Sequence, residues 1–211
     1  GDYNKYIVNS SISVYTMLQA YEMAPEKWND LEAGIPESND SIPDILQEAL
    51  FNLRWMTTMQ DISDGGVYHK LTNKEFDGIV MPCDATNHRF VVSKTTAAAL
   101  DFAAVAAHAS LLLAKTGLYT GMNARQLLQQ AEKAWQWAVA NPTVVYVQPA
   151  DIKTGQYDDN TLTDEFLWAA CELFLATAKP EYLDAIVNYY QKPTTPEGAL
   201  VIGLGFMSLI Q

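Results

Sequence analysis

Between residues 97 and 109 the chain carries eight alanines, Ala97, Ala98, Ala99, Ala103, Ala104, Ala106, Ala107 and Ala109, in one uninterrupted helical run. Alanine favours the helix more than any other residue. Small side chains on several faces let neighbouring helices approach closely on all sides. The stretch therefore predicts a fully buried helix, capped by Ser93, running to about Lys115 and ended by Gly117.

The segments around it are also helical, joined by loops of uneven length. Ile7, Ser11, Val14, Leu18 and Tyr21 recur at helical spacing and predict a helix from about Lys5 to Met23, stopped before Pro25. Asp2, just ahead of it, is of a type that caps helices. Ser41-Ile42-Pro43-Asp44 reads as a helix start, and Leu46, Ala49, Leu50, Leu53 and Met56 give the apolar stripe of a helix ending near Gln60. Further helices are expected from Asn123 to about Ala140, from a Thr163 cap to about Ala178, from Pro180 to about Tyr190, and from near Pro196 onward. Long loops fall at about 25–40, 61–92 and 141–162, with short extended pieces expected at Val67–Leu71 and Phe90–Val92. No sequence recurs at a fixed period, which argues against a solenoid array. The pattern is all-α, stacked helical hairpins with working loops on one rim.

At 211 residues and 49% hydrophobic, the chain is large enough for one domain with a sizeable core. A net charge of −12 argues against nucleic acid, whose phosphates need a basic stripe, and against an anionic membrane surface. A neutral glycan is compatible with that charge, and 11 Tyr and 5 Trp offer flat faces for sugar rings. Most aromatics in a helical protein are core, and Trp28, Trp55, Trp135, Trp137 and Trp168 lie mostly at helical spacing. Tyr3, Tyr68 and Tyr157, in or beside loops, are better placed as platforms. Cys83 and Cys171 do not make a disulfide framework, and Cys171 reads as a small buried hydrophobe. Cys83, Asp84 and His88 lack the second half of any closed zinc site. Neither an apolar run of membrane-spanning length nor a signal peptide is expected within these residues.

Four stretches, in order along the whole chain, resemble glycoside hydrolase family 9. Gly1-Asp2-Tyr3-Asn4-Lys5-Tyr6 is similar to the family's water-activating segment Asp-Ala-Gly-Asp-Tyr-Asn-Lys-Tyr, keeping the second of its two aspartates. Ile42-Pro43-Asp44-Ile45-Leu46-Gln47-Glu48, continuing to Trp55-Met56-Thr57-Thr58-Met59-Gln60, resembles the helix Ile-Pro-Asp-Leu-Leu-Asp-Glu that ends in Trp-Leu-Leu-x-Met-Gln. Asp64-Gly65-Gly66-Val67-Tyr68-His69-Lys70-Leu71-Thr72, with Met81-Pro82 after it, is similar to the subgroup carrying an immunoglobulin-like domain ahead of the barrel. Asp164-Glu165-Phe166-Leu167-Trp168-Ala169-Ala170 resembles the helix Asp-Glu-Leu-x-Trp-Ala-Ala. The resemblance implies an (α/α)6 barrel. With about seven helices, residues 1–211 are expected to form roughly half of it, truncated at both ends, with the remainder of the catalytic domain as its missing partner.

The implied activity is inverting hydrolysis of β-1,4-glucan, a β-glucan polysaccharide or oligosaccharide being the partner. Inversion needs a general base and a general acid of different environments, set apart so that water fits beside the base. The resemblance makes Asp2 the base, against the plainer reading of a helix cap. The acid, a Glu, falls in the half that is absent, so the chain alone is expected to be inactive. Substrate contacts are implied for His69, Tyr3, Tyr68 and Arg89, where a packing histidine and a solvated arginine are the plainer readings. A structural calcium is implied at Asn160, the Thr163 carbonyl, Asp164 and Glu165, against an ordinary acidic first turn. The chemistry itself requires no cofactor. A secreted, periplasmic or cell-surface location goes with the resemblance. The competing readings are another specificity on the same scaffold (an exo-glucosaminidase or a xyloglucanase), a catalytically dead carbohydrate-binding relative, and a helical module that binds glycan or protein without chemistry. Apolar faces of half a barrel are also expected to drive self-association.

Overall fold

The protein, represented by a computed structural model, is described at residues 2–28, 33–118, 120–190 and 199–210. Gly1 of the opening motif and Pro196, the expected start of the last helix, lie outside the described residues. Seven α-helices are present among the described residues: α1 (Ile7–Met23), α2 (Asp44–Thr58), α3 (Thr96–Thr116), α4 (Ala124–Ala140), α5 (Thr163–Thr177), α6 (Pro180–Tyr190) and α7 (Ala199–Leu209). Three short strands, β1 (Lys5–Tyr6), β2 (Tyr68–Thr72) and β3 (Phe90–Lys94), form an antiparallel sheet in the order β1-β2-β3.

The helices stand in two rows. In the inner row α1 packs on α3, α3 on α5, and α5 on α7. In the outer row α2, α4 and α6 each pack against the inner helix that precedes them. Burial follows this arrangement. Nearly every side chain of α3 from Thr96 to Leu113 is buried, as is every one of α5 from Asp164 to Leu173. Outer α4 buries one stripe, Leu127, Ala131, Ala134, Trp135 and Ala138, and α6 buries only Tyr182. The alanines of α3 thus serve as expected. They let three helices close on one axis, where a larger side chain would overpack the core by about 1–3 kcal/mol. At Gly205 in α7 the approach to α5 is as tight: an added Cβ would lie 3.2 Å from the Trp168 backbone and 3.1 Å from Cys171 Sγ. Large aromatics fill the remaining space, Trp168 meeting Tyr15 edge-on at 5.4 Å and Trp135 meeting Phe166 at 5.7 Å.

Several expectations are corrected. Lys5 and Tyr6 belong to a strand, Tyr6 pairing with Lys70 and Lys5 with Leu71, so α1 begins at Ile7. Asp2 therefore caps no helix. The cap of α3 is Thr95, whose hydroxyl accepts from Ala98 N, because Ser93 is still in β3. Thr163 is the first helical residue of α5 and Leu162 precedes it, with no side-chain cap. Helix α3 is also long and apolar enough to cross a membrane by length and composition. Its burial among other helices, and its buried Asp101 and His108, make it a core helix instead. Gly117 does end α3, in the left-handed conformation at φ 66°.

The sheet decides where the loops meet. Tyr68 N donates to Met59 O just past the end of α2, and β2 pairs with β1 just before α1. Helix α2 therefore ends beside the start of α1. The loop of 59–95 is fastened to the N-terminal segment by Asn73 N donating to Asn4 Oδ1 at 2.7 Å. It is fastened to the loop of 141–162 by Lys153 N donating to Lys74 O. Three segments that are far apart in sequence thus converge where α1, α3 and α5 begin.

Candidate active site

Asp2 lies exposed at this convergence. Its Oδ1 accepts from Asn4 N at 3.0 Å and Asn4 Nδ2 at 2.7 Å. The Tyr6 hydroxyl reaches Oδ1 at 3.3 Å and Oδ2 at 3.1 Å. The aspartate closes a turn with its own chain two residues on and leaves its outer side to solvent. Tyr6 is buried and meets the half-exposed ring of Tyr157 edge-on at 4.5 Å. Burial, with the Asp2 charge beside it, pushes the Tyr6 phenol up to about 12, so it stays a donor at working pH.

Beneath Asp2 and Tyr6 lies a polar layer on β2. Lys70 is fully buried, donating to Gln148 Oε1 at 2.9 Å and Gly155 O at 2.6 Å. Its ammonium also sits 5.8 Å from the Tyr6 ring and 5.1 Å from the Tyr146 ring. Burial lowers the amine to about 8, the Asp2 charge opposing that fall. His69, also buried, places Nδ1 3.0 Å from Thr95 Oγ1 and Nε2 3.0 Å from Gln156 O, with its ring stacked on Tyr146 at 4.2 Å. Burial lowers its basicity. Both nitrogens are engaged within the protein, so His69 supports the site from below and does not face it.

The other expected contact residues separate. Tyr3 stays near Asp2, its hydroxyl donating to Val80 O and tying the N-terminal segment to the 73–90 loop. Tyr68 turns toward a different cluster, its ring 5.3 Å under Lys94 Nζ and its hydroxyl donating to Asp61. Arg89 is exposed and close enough to Lys5 to lower that amine, after burial. Beside the site, Asn73, Lys74, Phe76, Asn87, His88 and Phe90 line an open cavity of about 510 Å³.

The acidic start of α5 is a deeper cluster than the sequence shows. Asp164 and Glu165 are buried, and Asp101 of α3 and Asp159 join them. Both carboxylate oxygens of Asp164, Glu165 Oε2 and Asp101 Oδ1 are buried without a hydrogen-bond partner. Burial, then the neighbouring carboxylates, pushes Glu165 up to about 11 and Asp101 well above the usual carboxylate range. Orphaned, mutually repelling oxygens are the donor chemistry of a hard cation such as Ca²⁺. Among the described residues, however, no group of three or more His, Cys, Asp or Glu side chains is gathered at metal-binding geometry. Asn160 is exposed and turned to Asp158. Asp101 was not singled out from sequence, although a lone carboxylate in an alanine-rich buried helix was a legible signal. Lys70, Tyr6 and Tyr146 were missed because only pairing and loop packing bring them together.

The chain matches the family model Glycosyl hydrolase family 9 over residues 1–203. It is 46% identical to a xyloglucan-specific endo-β-1,4-glucanase of Bacteroides ovatus, covering 100% of this chain and 37% of that protein. It is 34% identical to endoglucanase D of Acetivibrio thermocellus, covering 89% of this chain and 30% of that protein. A solved family 9 structure from Bacteroides ovatus superposes with a TM-score of 0.90 at 44% identity, over 100% of this chain and 40% of the other. A metagenome-derived family 9 endoglucanase superposes at 0.85 and 31% identity, over 99% and 38%. The chain spans between about three tenths and two fifths of the length of these relatives. The two-row helical arrangement is that of their (α/α)6 barrels, and the chain belongs to glycosyl hydrolase family 9.

Proposed function

We propose that this chain is part of an inverting endo-β-1,4-glucanase and that Asp2 is its general base. The observation that carries this is the Asp2 carboxylate, which is held by Asn4 and Tyr6 on one side and open to solvent on the other. Three loops converge beside it, with the half-exposed Tyr157 ring and Tyr3 close by as sugar platforms. In the reaction, Asp2 takes a proton from water as the water oxygen bonds to the anomeric carbon. The glycosidic C–O bond breaks, and a carboxylic acid from outside this chain protonates the leaving oxygen. A structural Ca²⁺ would be held by Asp164 and Glu165 with Asn160 and the Thr163 carbonyl, and would fix the start of α5 with no part in bond making; the support for it is the orphaned oxygens of Asp164 and Glu165. A secreted or surface location suits a polymeric glucan, which does not enter a cell.

A second reading within the class is a branched glucan such as xyloglucan. The cavity carrying Phe76 and Phe90 supports it, since their rings would suit a side-chain sugar, and the relative at 46% identity is named for xyloglucan.

The test is Asp2→Asn in the complete catalytic domain carrying this chain. Hydrolysis of β-glucan should fall by about 10²–10⁴-fold, and the wild type should release the inverted α-anomer first. Full activity in the variant ends the base assignment. Unchanged oligosaccharide binding with no hydrolysis by either protein would point to the non-catalytic module.

A further inference from the structure

We infer that Tyr6 is a positioning residue for the Asp2 carboxylate, and that Asp2 Oδ2 is the oxygen that receives the proton of water. The inference rests on the reading of Asp2 as base. A carboxylate oxygen has two lone pairs. Oδ1 is within reach of three donors, Asn4 N, Asn4 Nδ2 and the Tyr6 hydroxyl. Among the described residues Oδ2 has one partner, the Tyr6 hydroxyl at 3.1 Å, the shorter of that hydroxyl's two contacts. One lone pair of Oδ2 is therefore left for water, on the exposed side of Asp2.

Tyr6 is built to hold that geometry. It is 8% exposed, and β1 fixes its backbone opposite Lys70. Its ring is clamped between the Tyr157 edge and the Lys70 ammonium. Asn4 alone holds Oδ1 and leaves the carboxyl group free to turn about its own bond. The Tyr6 hydrogen bond stops that rotation. The phenol proton remains on Tyr6 throughout, so no atom is transferred through it.

The test is Tyr6→Phe in the complete catalytic domain carrying this chain. The variant keeps the ring contacts to Tyr157 and Lys70 and removes one hydroxyl. Removing the hydroxyl frees the carboxyl group to turn and leaves the substrate contacts in place, so kcat should fall by about tenfold with KM changed less than about twofold. A purely structural role would raise KM along with any fall in kcat, and that result, or an unchanged kcat, overturns the inference. A second variant places 3-fluorotyrosine at position 6 alone. It keeps a donor hydroxyl on the same ring, so kcat should stay within about threefold of the wild type, and a fall of about tenfold there overturns the inference even where Tyr6→Phe does not fold. The Asp2→Asn result keeps the two readings apart. Loss of activity there with wild-type kcat in Tyr6→Phe rejects the role of Tyr6 alone.

Discussion

His108 Nδ1 lies 2.9 Å from Glu172 Oε2, and its Nε2 lies 2.8 Å from Glu22 Oε2, so one buried imidazole is held between carboxylates of two other helices. Glu172 also accepts from Trp168 Nε1 and Ser208 Oγ, which brings α7 into the same network. Tyr15 and Gln19 of α1 close it through Ser208. Lys115 stands 3.9 Å from Glu22 at the outer edge. The inner row is thus tied across α1, α3, α5 and α7 at a level away from Asp2.

Burial alone would push His108 down, but Glu172 and Glu22 more than offset it and hold it up at about 9. A folded-state value above the unfolded value of about 6.5 stabilises the fold fully below that pH. The contribution fades as pH rises from about 6.5 to about 9. At about 1.4 kcal/mol per unit it is worth about 3 kcal/mol. His108→Gln should lower Tm at pH 6 and much less at pH 9.5, giving a flatter stability curve between them. Thermal melts in matched ionic strength check this, and a parallel offset at both pH values would contradict it.

Lys70 should act on the loop of 141–162 more than on the helices. Its ammonium holds Gln148 and Gly155, and with His69 on Gln156 it fixes the segment that presents Tyr157 to Asp2. Lys70→Met keeps the apolar stem and removes the donors. Hydrogen exchange should rise across residues 148–157 and stay unchanged in α3 and α5. Catalysis in the complete domain should weaken through a raised KM. Equal exchange in the variant and the wild type would show that the lysine does not anchor the loop.

The inner helices were legible in sequence because their apolar periodicity, alanine content and caps are local facts. Ala97 to Ala109 announced a buried helix, and Asn123 and Gly117 marked real boundaries. What failed was also local in appearance. Lys5-Tyr6 sits beside a strong helical pattern and is drawn into a strand only by Lys70, far away in sequence. Ser93 looks as good a cap as Thr95 until β3 claims it. In the site, Asp2 was legible through its motif, whereas the burial of His69 depends on Gln156 and Tyr146 arriving from another loop. Asp101 escaped because the helix around it reads as pure core.

The carboxylate cluster predicts a calcium response. Ca²⁺ binding only the folded state stabilises by about 2.7 kcal/mol at a hundredfold excess over Kd. For a domain of this size that raises Tm by roughly 5–10 °C. Chelation should reverse the gain. Asp164→Asn should abolish most of the calcium effect, because both oxygens of Asp164 are buried without a hydrogen-bond partner. A calcium-independent Tm in the wild type would leave the start of α5 without a cation.

The outer face of α6 makes the last prediction. Leu183, Val187 and Tyr190 are 45%, 50% and 66% exposed and recur at spacings of four and three, so they form one apolar stripe turned away from α5. In a soluble monomer such a stripe is a liability, and here it lies where the outer row of a barrel would continue. The 211-residue chain should therefore self-associate through α6. Leu183→Lys with Val187→Glu should shift it toward monomer in sedimentation velocity. The same pair should leave the far-ultraviolet circular dichroism unchanged, because Tyr182, outside the stripe, carries the buried contact with Trp135. A wild-type chain that sediments as a monomer at about 100 μM, well within the range where weak apolar contacts associate, would show that the stripe does not drive association.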